Sequence, residues 1–190
     1  MKQVTLIGDS IRMGYEKTVR QELEGEAEVW APGPNGGNSG NILEHLEAWA
    51  ISRQPDLIHI NCGLHDLKKE FGEERQAIPP EEYAENVEKI LQSLLRDSNA
   101  TVIWAQTTPV NEMWHHERKG FDRFEADVIA YNELAKSICN RVGIHVNNLY
   151  DVVNEAGKDK ILVPDGVHFS EEGSSILGRA VAETIRARMN

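Results

Sequence analysis

The sequence predicts an α/β fold in which a parallel sheet is covered by helices on both faces. Three observations carry this. Short apolar or β-branched runs recur at 4–7, 27–30, 57–61, 101–105 and 144–147. Segments of helical period lie between them, and capping or turn residues mark the junctions. At 190 residues the chain, read as one domain spanning 1–190, is long enough to bury a core without disulfides or metals.

The elements follow in order. Strand one runs into Gly8-Asp9-Ser10, where a helix opens. Strand two leads to the turn Gly36-Gly37-Asn38-Ser39-Gly40 and a helix carrying Ile42, Leu43 and Leu46. Strand three ends at Gly63-Leu64-His65-Asp66. Pro79-Pro80 before Glu81-Glu82 pre-sets the next helix, whose apolar stripe is Tyr83, Val87, Ile90, Leu91 and Leu94. After strand four, Val128, Ile129, Ala135 and Ile138 mark a long helix that Gly143 ends. Strand five precedes a last helix, N-capped by Ser170 and striped by Ile176, Leu177, Ala180, Val181 and Ile185.

Stretches 68–77 and 110–122 break the alternation. Both are charged, and the second holds Trp114, His115, His116, Arg118 and Phe121; loops of this kind serve as substrate walls or as plain solvated connections. The adjacent His115 and His116 do not make a metal site, because neighbouring side chains rarely face one ion and no carboxylate set completes it. The sequence therefore implies no metal and no cofactor.

Composition excludes some partners. With 31 acidic and 20 basic residues the formal charge is −11, and no basic stripe with aromatics appears, so neither nucleic acid nor an anionic membrane is expected as a partner. The apolar run after Met1-Lys2-Gln3 is too short for a signal peptide or a spanning helix, so a cytoplasmic location is expected. Cys62 and Cys139 lack ligand spacing and read as buried, reduced thiols. The four tryptophans suit either a pocket wall or the core.

The chemistry-bearing residues fall on one edge of the sheet. In an open parallel sheet, ligands bind beyond the carboxyl ends of the strands, and Ser10, the glycine turn, His65 and the Asp165-Gly166-Val167-His168 segment all follow strands there. Ser10 at a helix start sits where unpaired N–H groups stabilise an oxyanion, although Asp9-Ser10 alone reads more readily as a cap. Asp165 and His168, three residues apart, suit a carboxylate orienting an imidazole base, although alone they also read as an ordinary Asp-Gly turn. Together with Ser10 they make the minimum set for acyl transfer through a covalent intermediate. In the glycine turn, Gly37 is the first choice for a backbone donor, with Gly36 and Gly40 as alternatives.

These blocks resemble the GDSL-type esterases and lipases, or SGNH hydrolases, over nearly the whole chain. Gly8-Asp9-Ser10 is similar to the family's first block, Gly36-Gly37-Asn38-Ser39 to the glycine block, Gly63-Leu64-His65-Asp66 to the third, and Asp165-Gly166-Val167-His168 to the last. Tyr131-Asn132, Gly143-Ile144 and Leu149-Tyr150-Asp151 resemble the family's run into its last strand and loop. The resemblance implies a flavodoxin-like three-layer α/β/α sandwich with a five-stranded parallel sheet in the order 2-1-3-4-5. It implies Ser10 as nucleophile, His168 as base, Asp165 as orienting acid, and oxyanion donors at Ser10, Gly37 and position 65.

Position 65 departs from the family, which usually has Asn there. A neutral imidazole still donates one N–H, so His65 can replace the amide; alternatively it binds a substrate group or is an ordinary loop histidine. Asp66 reads as structural. Arg75, Trp114, His115 and His116 are candidates for specificity. The expected activity is hydrolysis of a small or short-acyl ester such as an O-acetylated carbohydrate. The alternatives are an acyltransferase with the same Ser-His-Asp set and a non-catalytic binding module on the same fold. A nucleotide-binding domain is disfavoured, because Ser10 is followed by Ile-Arg-Met and not by a phosphate loop.

Overall fold

A computed structural model describes residues 1–189. Five parallel strands, β1 (Lys2–Ile7), β2 (Ala27–Trp30), β3 (Leu57–Ile60), β5 (Thr101–Ala105) and β7 (His145–Asn147), form the sheet in the order β2-β1-β3-β5-β7. Two further strands, β4 (Lys69–Glu70) and β6 (Phe121–Asp122), pair antiparallel as a separate ribbon. With that ribbon set aside, the order is the expected 2-1-3-4-5. The last strand starts one residue later than the apolar run, because the Ile144 N–H bonds Cys139 O behind the left-handed Gly143 (φ 76°) and so finishes the preceding helix.

Two helical layers cover the sheet. Helices α1 (Ser10–Glu22), α6 (Leu149–Ala156) and α8 (Glu171–Arg188) pack on one another, as do α2 (Ser39–Trp49), α3 (Pro80–Asp97) and α5 (Glu125–Val142). This is what right-handed crossovers require: α2, α3 and α5 connect strands that step one way across the sheet, whereas α1 steps the other way. The α1 and α8 backbones approach so closely that a Cβ on Gly178 would lie 2.5 Å from Thr18 Cβ.

Residues with a helical stripe bury it as expected: Tyr83, Val87, Ile90, Leu91 and Leu94 are all fully buried. Ile129 is an exception. It is 48% exposed, and Tyr131 is buried in its stead against Tyr83 of α3, so that the buried face of α5 runs Val128, Tyr131, Ala135 and Ile138. Cys62 and Cys139 are buried free thiols. Trp104 and Trp49 are buried in the core, and Trp30 lies under the Arg53 guanidinium. No helix among the described residues is long and apolar enough to cross a membrane.

The two irregular stretches are structured. Besides the ribbon they carry α4 (Glu112–Arg118); α6 and the short α7 (Lys158–Ile161) follow the last strand, where the sequence suggests only a loop.

Candidate active site

The first strand delivers Ser10 to its edge through a shared division of labour. Asp9 is the N-cap of α1, and its Oδ1 accepts the Ile11 N–H at 2.9 Å. Ser10 is therefore released from capping, and its Oγ lies 2.8 Å from Nε2 of His168. Capping thus falls to Asp9, and the Ser10 hydroxyl faces the imidazole.

The C-terminal block is a closed turn. Gly166 N–H bonds Val163 O, and Val163 N–H bonds His168 O. Within it, Asp165 Oδ1 accepts the N–H groups of Val167 and His168 at 3.0 and 2.9 Å, while Oδ2 lies 2.6 Å from His168 Nδ1. Burial pushes the Asp165 carboxyl up, but the bonds from the His168 ring and from both amides outweigh it and hold the group well below the usual carboxylate range. An ionised Asp165 at Nδ1 leaves Nε2 free to accept a proton from Ser10, the requirement for a general base.

Helix α4 braces this turn. Gly166 O accepts the Asn111 N–H at 2.8 Å, and Asp165 O lies 3.1 Å from Nδ1 of the buried His115. Gly166 has φ 74°, and a Cβ there would run into Asn111 O and lie 2.8 Å from His115 N. His115 thus supports the turn from behind and is not a wall residue. His116 is exposed and pairs with Asp122 at 2.7 Å; no group of metal-ligating side chains occurs among the described residues. Arg75 is exposed, and neither it nor Trp114 lines the cleft.

The glycine turn is locked beside strand one. Gly36 N–H bonds Gly8 O at 3.0 Å, and a Cβ on Gly36 would stand 2.6 Å from that oxygen, so only glycine fits. The Gly36 amide is thereby used up. Gly40 lies within the first turn of α2. Gly37, at φ 64°, directs its N–H to Oδ1 of Asn35 at 2.8 Å, a partner on an exposed side chain. Asp66 is structural as expected: its Oδ1 accepts the Ser39 N–H at 2.8 Å and ties the start of α2 to the third block.

A cleft of about 260 Å³ opens over these groups, lined by Ser10, Asn35, His65, Phe121, Arg123 and His168 among others. None of the four tryptophans lines it. His65 is half-buried there. Burial lowers its pKa against the opposing pull of Asp9, and the Arg123, Lys68 and His168 charges push the same way as burial, so the imidazole is held neutral. Asn35, Lys119 and Arg123 are cleft residues that sequence patterns do not mark. Their only signal is position, next to the glycine turn and at the end of the second irregular stretch. Lys119 Nζ stands 3.2 Å from Asp165 Oδ2.

Comparison with known proteins finds relatives of this chain and of its fold. The model of the GDSL-like Lipase/Acylhydrolase family matches residues 6–176. A GDSL esterase/lipase of Arabidopsis thaliana is 25% identical over 206 residues, covering 97% of this chain and 85% of that protein. Among solved structures, a lipase/acylhydrolase from Enterococcus faecalis superposes with a TM-score of 0.82 at 22% identity, over 99% of this chain and 97% of that one. The acetylxylan esterase Axe2 from Geobacillus stearothermophilus gives 0.77 at 21% identity, over 97% and 94%.

Proposed function

This chain belongs to the GDSL-like lipase/acylhydrolase family of carboxylic ester hydrolases, and on that premise we propose that it cleaves a small or short-acyl ester through an acyl-Ser10 intermediate. The observation that carries the proposal is the unbroken relay from Ser10 Oγ to His168 Nε2 (2.8 Å) and from His168 Nδ1 to Asp165 Oδ2 (2.6 Å).

In the acylation step, Ser10 Oγ bonds the carbonyl carbon as His168 Nε2 takes its proton, and Asp165 stabilises the resulting imidazolium. The carbonyl oxygen gains the negative charge. The N–H of Ser10 at the helix start, the Gly37 N–H and the neutral His65 N–H are the donors assigned to it. For Gly37 this means exchanging Asn35 Oδ1 for the substrate oxygen. As the intermediate collapses, the C–O bond to the alcohol breaks and His168 returns the proton to the leaving oxygen. Water then attacks the acyl-Ser10 ester by the same route, with His168 again as base, and releases the acid and free Ser10.

The cleft suits a short acyl group. Its neighbours in fold include acetylxylan esterases, which favours an acetyl ester of a carbohydrate as the substrate type to try first. The deciding experiment is the initial rate of 4-nitrophenyl acetate hydrolysis by the purified protein beside Ser10→Ala. Saturable hydrolysis that falls to background in the variant is the expected result. Equal rates from both proteins would overturn the serine mechanism.

A further inference from the structure

We propose that the natural ester carries its own anionic group, a carboxylate or phosphate, and that Arg123 binds it; this rests on the esterase reading and names its substrate class. Arg123 directly follows β6 and is only 5% exposed, yet its guanidinium makes one hydrogen bond among the described residues, from Nε to Leu64 O at 2.6 Å. No carboxylate forms an ion pair with it among those residues. A buried cation in that state is costly, and the fork of unused N–H donors is shaped for a planar or tetrahedral oxyanion.

The chain treats its other buried arginine differently. Arg12 is 2% exposed and is neutralised by Glu16 at 2.5 Å, with further bonds to Pro32 O and Pro34 O. Leaving Arg123 without a counter-ion is therefore local to the cleft. Burial pulls its pKa down to about 10, still high enough to keep it charged at neutral pH, with Asp9 and Asp165 opposing that fall from a distance. Neither carboxylate forms an ion pair with it: Asp9 caps α1 through Oδ1, its buried Oδ2 making no hydrogen bond among the described residues, and Asp165 holds His168 and Lys119.

The surrounding charge points the same way. The cleft lining holds two cations, Arg123 and the Asp165-paired Lys119, and no Asp or Glu, in a chain whose formal charge is −11. The Phe121 ring lies 4.9 Å from the guanidinium carbon and restrains its plane. Because Arg123 and Ser10 line one cleft of about 260 Å³, a single small molecule can place an anion on the first and its ester carbonyl on the second. A neutral acetyl ester has no use for such a group.

The test uses matched esters. 4-Nitrophenyl acetate is paired with mono-4-nitrophenyl succinate, which puts the charge on the acyl side. Methyl 4-acetoxybenzoate is paired with 4-acetoxybenzoate, which puts it on the alcohol side. We expect the charged member of one pair to have the higher kcat/KM by about tenfold or more, and Arg123→Gln and Arg123→Lys to cut that preference about ten- to hundredfold, mainly through KM. The pair that responds identifies the side carrying the anion. Arg123→Lys keeps the stem and charge but loses the fork, so it serves if Arg123→Gln does not fold. No preference in either pair, or a preference that survives Arg123→Lys, overturns the proposal. If no ester is turned over faster than by Ser10→Ala, the esterase reading fails by itself. Titration calorimetry with succinate then decides for anion binding: binding weakened about tenfold in Arg123→Lys supports it, and no binding overturns it.

Discussion

Asp165 grips His168 at two places at once: Oδ2 lies 2.6 Å from Nδ1 of the ring, while Oδ1 holds the histidine's own backbone N–H at 2.9 Å. With Oδ1 fixed by two amides, Asp165→Asn has one good orientation, in which its Nδ2 replaces Oδ2 and donates to Nδ1. His168 would then carry its proton on Nε2 and could not accept one from Ser10. The expected outcome is a fall in kcat by about 10²–10⁴ with KM little changed, read from steady-state kinetics on one ester. A change confined to KM would contradict the orienting role.

Position 65 separates two roles for a histidine. If His65 is an oxyanion donor, His65→Asn, which restores the family's usual residue, keeps or raises kcat. His65→Ala lowers it by about 10²–10³, the effect typical of losing one such donor. The two variants should be measured on a neutral ester at pH 7 to 8, where burial keeps the wild-type imidazole uncharged. A large loss of kcat in His65→Asn would show that the ring does something an amide cannot.

Gly166 offers a test of the brace behind the turn that holds Asp165 and His168. Gly166→Ala meets both a left-handed backbone (φ 74°) and the start of α4, with His115 N at 2.8 Å from the new Cβ. The expected result is a loss of about 1–3 kcal/mol in unfolding free energy together with a drop in kcat, because relief requires the turn holding Asp165 and His168 to move. Chemical denaturation and kinetics on the same preparation check it; unchanged kcat in a folded variant would mean that α4 does not position the turn.

Much of this site is legible in the sequence because it is local. Asp9 capping and the Asp165-to-His168 spacing are decided by neighbours a few residues away, and the five strands by short apolar runs. What escapes is set at long range. Helix α4 has a single buried residue, His115, and hence no apolar stripe. Arg123 reads as a surface charge until the β4–β6 ribbon places it against Leu64 O, a carbonyl 59 positions away. Ile129 fits a helical stripe on paper but falls on the solvent side, since periodicity fixes which positions share a face only once the neighbours of α5 choose that face.

Asp66 couples the scaffold to pH. Burial pushes its carboxyl up to about 7, with Asp9 adding to the rise, while bonds to Ser39 oppose it. The unfolded chain ionises this group near 3.8, so from there to about pH 7 the folded state holds a proton that the unfolded state has lost. Stability conferred by this group is therefore complete below the unfolded value, falls as pH rises through the folded one, and is flat above it. The whole span is on the order of 4 kcal/mol. Asp66→Asn keeps an oxygen for the Ser39 N–H, bonded at 2.8 Å in the wild type, and cannot ionise. Subtracting its unfolding free energy from the wild type's at each pH cancels the other titrating groups. The difference should favour the wild type at pH 4 and swing toward the variant by pH 8; parallel curves would show that Asp66 ionises alike in both states.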